Sequence, residues 1–357
     1  METFTTTIDR LSSPPVLFAL ALFLLVIGLK WRALGSRTGG LVLAVLVVSF
    51  LGLGLTDEVF RRLVLDPERL PVLVLVVLSG FFVWLSLYRT RDRNALSEPL
   101  LPELAWPGFS CGEVLVALLV LLVVAACAFV LRTPLAAVAD PTLPPDPAKA
   151  PWFLVGLQEM RGYFDPWVPD LYLPGLLLVI LVVLPHLDRP PGGGEPHAGG
   201  SPERVPPGLM FVFLFGWWLV WLLPMVIGAF LRGPHGNAFG PFEPWDAARP
   251  RIETAAPLSE ILRSRLLDLA PPRGPILREL PGIVLLALYF GILPLLLPWW
   301  RVTRGIFART RKWLGGWRFY VATVLVLAIA IVPLKMVSRW LFDVAYFLYL
   351  PEWSFNF

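Results

Sequence analysis

Long apolar runs follow one another along this chain, and short polar stretches separate them. The runs lie near 15–32, 39–56, 70–88, 112–132, 171–187, 208–231, 281–300 and 317–341. A helix needs about 20 apolar residues to cross a hydrocarbon core of about 30 Å. Segments of alternating polarity, which are typical of membrane β-barrels, do not recur. The pattern therefore predicts an all-α polytopic membrane protein with about eight transmembrane helices.

The composition excludes an ordinary soluble domain. Hydrophobic residues make up 57% of the chain and charged residues 16%, and the mean hydropathy is +0.71. A net charge of +4 would be compatible with nucleic acid as a partner. The basic residues cluster in the loops between apolar runs, however, where they set the orientation of a membrane protein. We therefore expect no nucleic acid partner.

Three blocks, in a defined order, carry a resemblance to a known family. Residues 112–188 contain an apolar run, a Pro-rich loop with the letters APWF at 150–153, and a second apolar run. Residues 217–246 end in RGPHGNAFGPFEPWD, and residues 278–357 contain RELPGIVLLALYFGILPLLL and VPLKMVSRWLFDVAYFLYLPEWSFNF. Together these blocks resemble the C-terminal half of cytochrome b, also called subunit IV, in bacterial quinol:cytochrome c oxidoreductases.

The resemblance divides the chain into two unequal parts. Residues 106–357 look like the subunit IV membrane domain, with the loop 133–170 in the place of the family's quinol-site loop. Residues 1–105 contain three apolar runs with short polar connections and resemble nothing in the family. We interpret them as a three-helix N-terminal membrane extension of unknown role.

In this family a Pro-Glu-Trp-Tyr motif walls the quinol-oxidation site. Here Pro151 occupies the position of the glutamate and Phe153 that of the tyrosine. The resemblance implies that Pro151, Trp152 and Phe153 bind the quinone, because aromatic rings beside a proline form a rigid apolar wall. The alternative is that Trp152 and Phe153 anchor the loop at the lipid interface, where aromatic residues are enriched.

Quinol oxidation also needs a proton acceptor near the ring. The family's motif glutamate is absent, so its role cannot be transferred to this chain. Glu159 is the nearest carboxylate, two turns along the same predicted amphipathic helix, and is our candidate catalytic residue; Asp146 and Asp165 are the other carboxylates considered in the loop. Glu159 could instead be a solvated surface residue, and the partner subunit or water could provide the relay.

The histidines indicate that the chain holds no haem. Cytochrome b carries two haems, each bound by two histidines on facing helices of its N-terminal half. This chain has three histidines, His186, His197 and His235, and none lies in the middle of an apolar run. We therefore predict no metal site and no covalently bound cofactor, and expect the b haems on another polypeptide.

The resemblance implies a set of partners for such a subunit. These are a separate dihaem cytochrome b, a Rieske iron–sulfur protein and a c-type cytochrome, in a dimeric complex that oxidises quinol. The altered motif suggests menaquinol as the substrate, again by resemblance. The chain would thus be a subunit of an oxidoreductase and not an enzyme alone.

Two other classes of function compete with this interpretation. A structural membrane subunit of a respiratory or photosynthetic redox complex, without its own quinol site, would explain the missing motif Glu and Tyr. A transporter would need ionisable residues in mid-span or inverted repeats, and the sequence has neither.

The charge pattern predicts the orientation. The short loop 301–316 contains five basic residues and no acidic one: Arg301, Arg304, Arg309, Arg311 and Lys312. The positive-inside rule places this loop in the cytoplasm, so we expect the C-terminus on the opposite, periplasmic side. The resemblance implies that the membrane is the bacterial inner membrane. Lys335 and Arg339 lie near the end of the last run, where such charges are functional, paired, or extended to the interface by snorkelling.

Overall fold

A computed structural model describes residues 2–30, 35–93, 110–130, 146–187, 218–250, 255–267, 272, 274–300, 307–308, 310–311 and 314–357. The protein is mostly helical, with 74% of the described residues in helices. The helices through α6 are α1 (Glu2–Leu11), α2 (Pro14–Lys30), α3 (Arg37–Gly54), α4 (Glu58–Val64), α5 (Leu70–Arg93) and α6 (Ser110–Val130). The predicted helical character is confirmed.

After α6 the described helices are mostly shorter or interrupted, except for the last one, which is the longest. These are α7 (Val155–Arg161), a π-helical turn (Val168–Tyr172) leading into α8 (Leu173–Leu187), α9 (Trp218–Leu222, Leu223–Val226 and Ile227–Leu231), α10 (Leu258–Ile261 and Leu262–Leu267), α11 (Pro275–Arg278), α12 (Leu280–Ala287, Leu288–Ile292 and Leu293–Leu296) and α13 (Gly316–Phe342). Two short strands, β1 (Tyr349–Leu350) and β2 (Phe355–Asn356), pair antiparallel near the C-terminus.

Each predicted span coincides with a helix over most of its described length. Within the described ranges, two helices are long and apolar enough to cross a bilayer, α3 and α13. Only 6% of the α3 window is buried, whereas 56% of the α13 window is buried. Exposed apolar side chains on all sides of a helix are stable only against another apolar phase, so α3 indicates membrane association more strongly than α13 does.

Contacts divide the chain into two compact units. One comprises residues 1–30, 53–76 and 146–357, and the other comprises residues 31–52 and 77–145. The boundary predicted at 105/106 lies outside the described residues, and the division by resemblance stays a prediction. The division by contacts differs from it, because parts of the N-terminal 105 residues pack with the C-terminal portion.

Two contacts show how N-terminal residues join the first unit, and a local helix cap positions one of the residues that make them. The carboxylate of Asp57 caps α4 by accepting from the backbone N–H groups of Val59 and Phe60, at 2.9 and 3.0 Å. The ring of Phe60 then stacks on Phe242, with 4.8 Å between centroids. Oδ1 of Asp9 accepts from the backbone N–H of Phe242 at 2.9 Å. The loop after α9 is therefore held by residues from the first 60 positions.

In the second unit, α3 and α5 contact one another through aromatic side chains. On α5, the rings of Trp84 and Tyr88 stack with centroids 5.5 Å apart. Nε1 of Trp84 donates to the backbone carbonyl of Ser36 over 3.3 Å, and Nε of Arg37 donates to the hydroxyl of Tyr88 over 3.0 Å. These polar contacts satisfy donors that an apolar environment would otherwise leave unpaired.

The main core of the first unit lies where α13, the segment 160–173 and the C-terminal tail meet. Trp167 stacks on Phe355 with centroids 4.9 Å apart, and its Nε1 donates to the carbonyl of Asn356 at 3.1 Å. Residues Pro351–Trp353 form a 3₁₀ turn between β1 and β2. They are therefore part of the hairpin that covers this core. Leu258 and Ile261 of α10 also pack against the core.

Candidate functional site

The site forms where α7 lies close against α9. A Cβ atom added to Gly228 would lie 2.9 Å from the carbonyl oxygen of Val155, and one added to Gly156 would lie 3.2 Å from that of Trp221. Gly228 is therefore needed for this close approach of the two backbones, and at Gly156 a side chain would make a tight contact. The packing turns one face of α7 inward.

Glu159 lies on that inward face and is paired with Arg232. Its side chain is 3% exposed. Nε of Arg232 donates to Oε2 of Glu159 at 2.9 Å, and Nη2 donates to Oε1. The same Nη2 donates to the hydroxyl of Tyr163 at 2.9 Å, and Nη1 donates to the carbonyl of Gly236 at 2.6 Å. The alternative of a solvated Glu159 is wrong, because α7 packs on α9 through this face.

The ion pair changes the titration of its neighbours. Burial alone would lower the pKa of Arg232, but the hydrogen bonds and charge of Glu159 outweigh it and hold that pKa above its ordinary value. Burial, and then the negative charge of Glu159, raise the pKa of Tyr163 above its ordinary value. Tyr163 is therefore a neutral phenol at physiological pH.

Lys149 lies on the segment that precedes the predicted quinone-binding residues. The side chain of Gln158 fixes this segment to α7: its Oε1 accepts from the backbone N–H of Ala150 at 2.7 Å, and its Nε2 donates to the carbonyl of Ala148. Nζ of Lys149 donates to the carbonyls of Gly228 and Ala229 at 2.8 and 2.9 Å. The amine is thus attached to the last turn of α9.

The surroundings of Lys149 disfavour its charged form. Burial is the main cause and repulsion by Arg69 is the next, and together they lower the pKa of Lys149 to about 7 although Glu159 opposes the shift. Nζ also lies 4.7 Å from the centre of the Trp245 ring. No ion pair joins Lys149 to a carboxylate within the described part of the chain.

These groups line one cavity of about 520 Å³. Its walls include Lys149, Glu159, Tyr163, Arg232, Arg339 and Trp340. The lining is mixed in charge and rich in hydrogen-bonding groups, unlike the mainly apolar pockets that hold most small ligands. Chemically, such a cavity can hold water or a polar ligand group and can bring a proton-carrying side chain to it.

The predicted quinone-binding residues lie on the outside of the same loop. Pro151, Trp152 and Phe153 do not line the cavity. Trp152 is 39% exposed and Phe153 50% exposed, and their rings meet edge to face with centroids 5.7 Å apart. The structure therefore places Glu159 inside the cavity and the aromatic pair outside it, so it does not bring these two parts of the predicted site together.

The two other carboxylates considered in the loop have structural partners. Oδ2 of Asp146 lies 2.8 Å from Nδ1 of His235. Oδ2 of Asp165 accepts from Nδ2 of Asn356 at 2.8 Å, which attaches the loop to the C-terminal hairpin. Neither carboxylate contacts Glu159 directly.

Lys335 is the most deeply buried cation described. Its side chain is 0% exposed, and Nζ donates to the backbone carbonyl of Tyr163. The ammonium also faces the rings of Phe164 and Tyr346, at 4.8 and 5.4 Å from their centroids. Snorkelling to the interface is therefore wrong for Lys335. Arg339, one turn further along, lines the cavity.

The histidines take peripheral positions where they are described. Nδ1 of His186 lies 3.0 Å from the carbonyl of Val182 at the end of α8, and His235 pairs with Asp146. His197 lies outside the described residues. In the part of the chain that the structure describes, no three His, Cys, Asp or Glu side chains are grouped as metal ligands would be.

Comparison with protein families, with curated proteins and with solved structures finds no match for this chain. The geometry must therefore carry the functional argument. Sequence reasoning missed Lys149 and Arg232 as site residues. A signal for Lys149 was present, since it is a single charged residue between two alanines beside the motif; Arg232 offered none, because its partner lies 73 positions away.

Proposed function

We propose that this chain is a haem-free, subunit-IV-like membrane subunit of a bacterial quinol:cytochrome c oxidoreductase. It crosses the inner membrane about eight times, with a periplasmic C-terminus. It helps to form the quinol-oxidation site on the periplasmic side, in a dimeric complex with a dihaem cytochrome b, a Rieske iron–sulfur protein and a c-type cytochrome. Menaquinol is the proposed substrate.

The observation that carries this proposal is the two-sided loop 146–170. One side presents the exposed rings of Trp152 and Phe153, and the other lines a charged cavity through Lys149 and Glu159. A quinol site needs an apolar wall for the ring and a proton acceptor near it. A subunit that supplies only part of such a site leaves its apolar wall exposed until a partner covers it.

The alternative is a structural subunit of a redox complex without its own quinol site. One observation favours it: Glu159, the carboxylate expected to accept protons, is held in an ion pair with Arg232. In that case Trp152 and Phe153 are lipid anchors, as exposed aromatic residues at an interface often are.

The variant Trp152→Ala, measured in the assembled complex, separates the two functions. If Trp152 walls the site, the quinol:cytochrome c turnover and the affinity for inhibitors of quinol oxidation fall together by about tenfold or more, since a lost contact of about 1.4 kcal/mol is worth tenfold. The spectra of the partner's haems stay unchanged. Trp353→Ala is the matched control, because Trp353 is also exposed and lies two residues after a Pro, but belongs to the C-terminal hairpin.

Equal turnover and equal inhibitor affinity in Trp152→Ala, Trp353→Ala and the unmodified complex would establish the structural alternative. Glu159→Gln keeps the shape of the side chain and removes its charge, which also leaves Arg232 without its partner, so the stability of the assembled complex is measured beside its turnover. A loss of turnover with unchanged inhibitor binding in that variant would assign Glu159 to proton transfer.

A further inference from the structure

The cavity contains one side chain that can change its charge without losing its hydrogen bonds. An ammonium has three N–H donors, and Lys149 uses two of them on the carbonyls of Gly228 and Ala229. A neutral amine keeps two N–H donors and gains a lone pair. Both carbonyl contacts can therefore persist when Lys149 is deprotonated, and its lone pair becomes a proton acceptor.

The other cationic side chains of the cavity cannot act as proton acceptors. Arg232 is fixed by Glu159, and the guanidinium groups of Arg232 and Arg339 do not deprotonate in proteins. Glu159 itself receives two hydrogen bonds from Arg232, so its oxygens are already engaged. Among the described residues that line the cavity, Lys149 is the one amine.

The charged groups around Lys149 come from several elements and largely cancel. Arg69 and Asp66 face it from the segment before α5, Glu159 from α7 and Arg232 from the end of α9. Asp146, on the same segment as Lys149, lines the same cavity. Desolvation dominates this balance and brings the pKa of Lys149 to about 7. A general base is most effective when its pKa lies near the working pH, and lysine shifts readily when it is buried.

The position of Lys149 in the loop suits this role. One residue separates it from Pro151, and the Gln158 side chain holds that stretch of backbone on both sides of Lys149. The amine and the aromatic pair therefore belong to one rigid segment, with the amine toward the cavity and the rings toward the outside.

On the basis of the proposed function, we propose that Lys149, in place of the family's motif glutamate, accepts a proton from the quinol through water in the cavity, because the amine and the aromatic wall lie on opposite sides of the loop. The O–H bond of a quinol hydroxyl breaks as its proton passes to a cavity water, that water gives a proton to Nζ, and the neutral amine becomes an ammonium. The resulting quinolate gives an electron to a one-electron acceptor, the iron–sulfur cluster of the partner protein. The ammonium afterwards releases its proton to water in the cavity.

The test is the pH dependence of turnover in the assembled complex, with Lys149→Met, Lys149→Arg and the control Arg161→Met. Arg161 lies at the end of α7, is paired with Asp170 and does not line the cavity. The unmodified complex and Arg161→Met should gain turnover as the pH rises through about 7. Both Lys149 variants should lose this limb of the profile and about 100-fold or more in turnover, as is typical when a general base is removed, with inhibitor affinity retained.

An unchanged pH profile in both Lys149 variants would overturn the role of Lys149 while leaving the proposed function standing. No quinol oxidation by the unmodified complex would overturn the proposed function itself. If the variants do not assemble, acetic anhydride labelling of the unmodified complex decides the question. A labelling midpoint for Lys149 near pH 7, and slower labelling in the presence of the inhibitor, support the proposal; a midpoint near the ordinary value of 10.5 overturns it.

Discussion

Nε of Arg232 donates a hydrogen bond to Oε2 of Glu159 over 2.9 Å, and this contact joins the end of α9 to α7. The same guanidinium reaches the hydroxyl of Tyr163 and the carbonyl of Gly236. One side chain therefore connects the loop before α8, the helix α7 and the turn after α9. The cavity keeps its shape only while these three segments stay together.

Removing Arg232 should destabilise the protein strongly. Arg232→Met leaves the carboxylate of Glu159 buried without its partner, and breaking a buried pair in this way costs about 3–5 kcal/mol. The double variant Arg232→Met with Glu159→Gln removes both charges and should recover a large part of that loss. Thermal unfolding of the purified protein in detergent measures both effects. Equal stability of the single and the double variant would contradict the pairing.

Close contact between α7 and α9 predicts the effect of a single methyl group. In Gly228→Ala the new Cβ would lie 2.9 Å from the backbone carbonyl of Val155, which cannot move without shifting α7. We expect a loss of about 1–3 kcal/mol in the free energy of unfolding. Gly175→Ala on α8 is the control, since its Cβ would meet nothing within 4 Å. The control should be neutral or slightly stabilised.

Burial of Lys149 predicts a pH-dependent stability. Its pKa is about 7 in the folded protein and 10.5 in the unfolded chain, so between these values the unfolded chain binds more protons. The stability therefore rises with pH in this window, by up to about 1.4 kcal/mol per pH unit. Lys149→Met should lack this contribution. Its free energy of unfolding should therefore increase relative to that of the unmodified protein as the pH falls to 7. Arg161→Met should keep the original slope, and a Lys149→Met curve parallel to it would refute the shift.

Orientation can be tested with fused reporters. A reporter attached after Phe357 should be active in the periplasm, and one inserted after Lys312 should be active in the cytoplasm, because the positive-inside rule retains the basic loop 301–316. The reversed pattern would place the loop 146–170 on the wrong side for the proposed function. Reporter activity in intact cells gives the answer without purification.

Several features of the fold followed from the sequence alone. The last apolar run was predicted at 317–341, and the helix extends over Gly316–Phe342. The other runs also coincide with helices over most of their described length. The agreement has a simple reason: apolar composition and length are local properties, and a backbone without water must pair its own polar groups in a helix.

Tertiary structure alone decided which loop residues face the cavity. Gln158 and Glu159 follow Trp152 by only a few positions, but the packing of α7 on α9 buries Glu159 and leaves Trp152 exposed. The acceptors of Lys149 lie 79 and 80 positions away, and the partner of Glu159 lies 73 positions away. Such pairs form only because α7 and α9 approach closely at Gly156 and Gly228. Burial and charge pairing follow from this packing and cannot be read from the local pattern of polar and apolar residues.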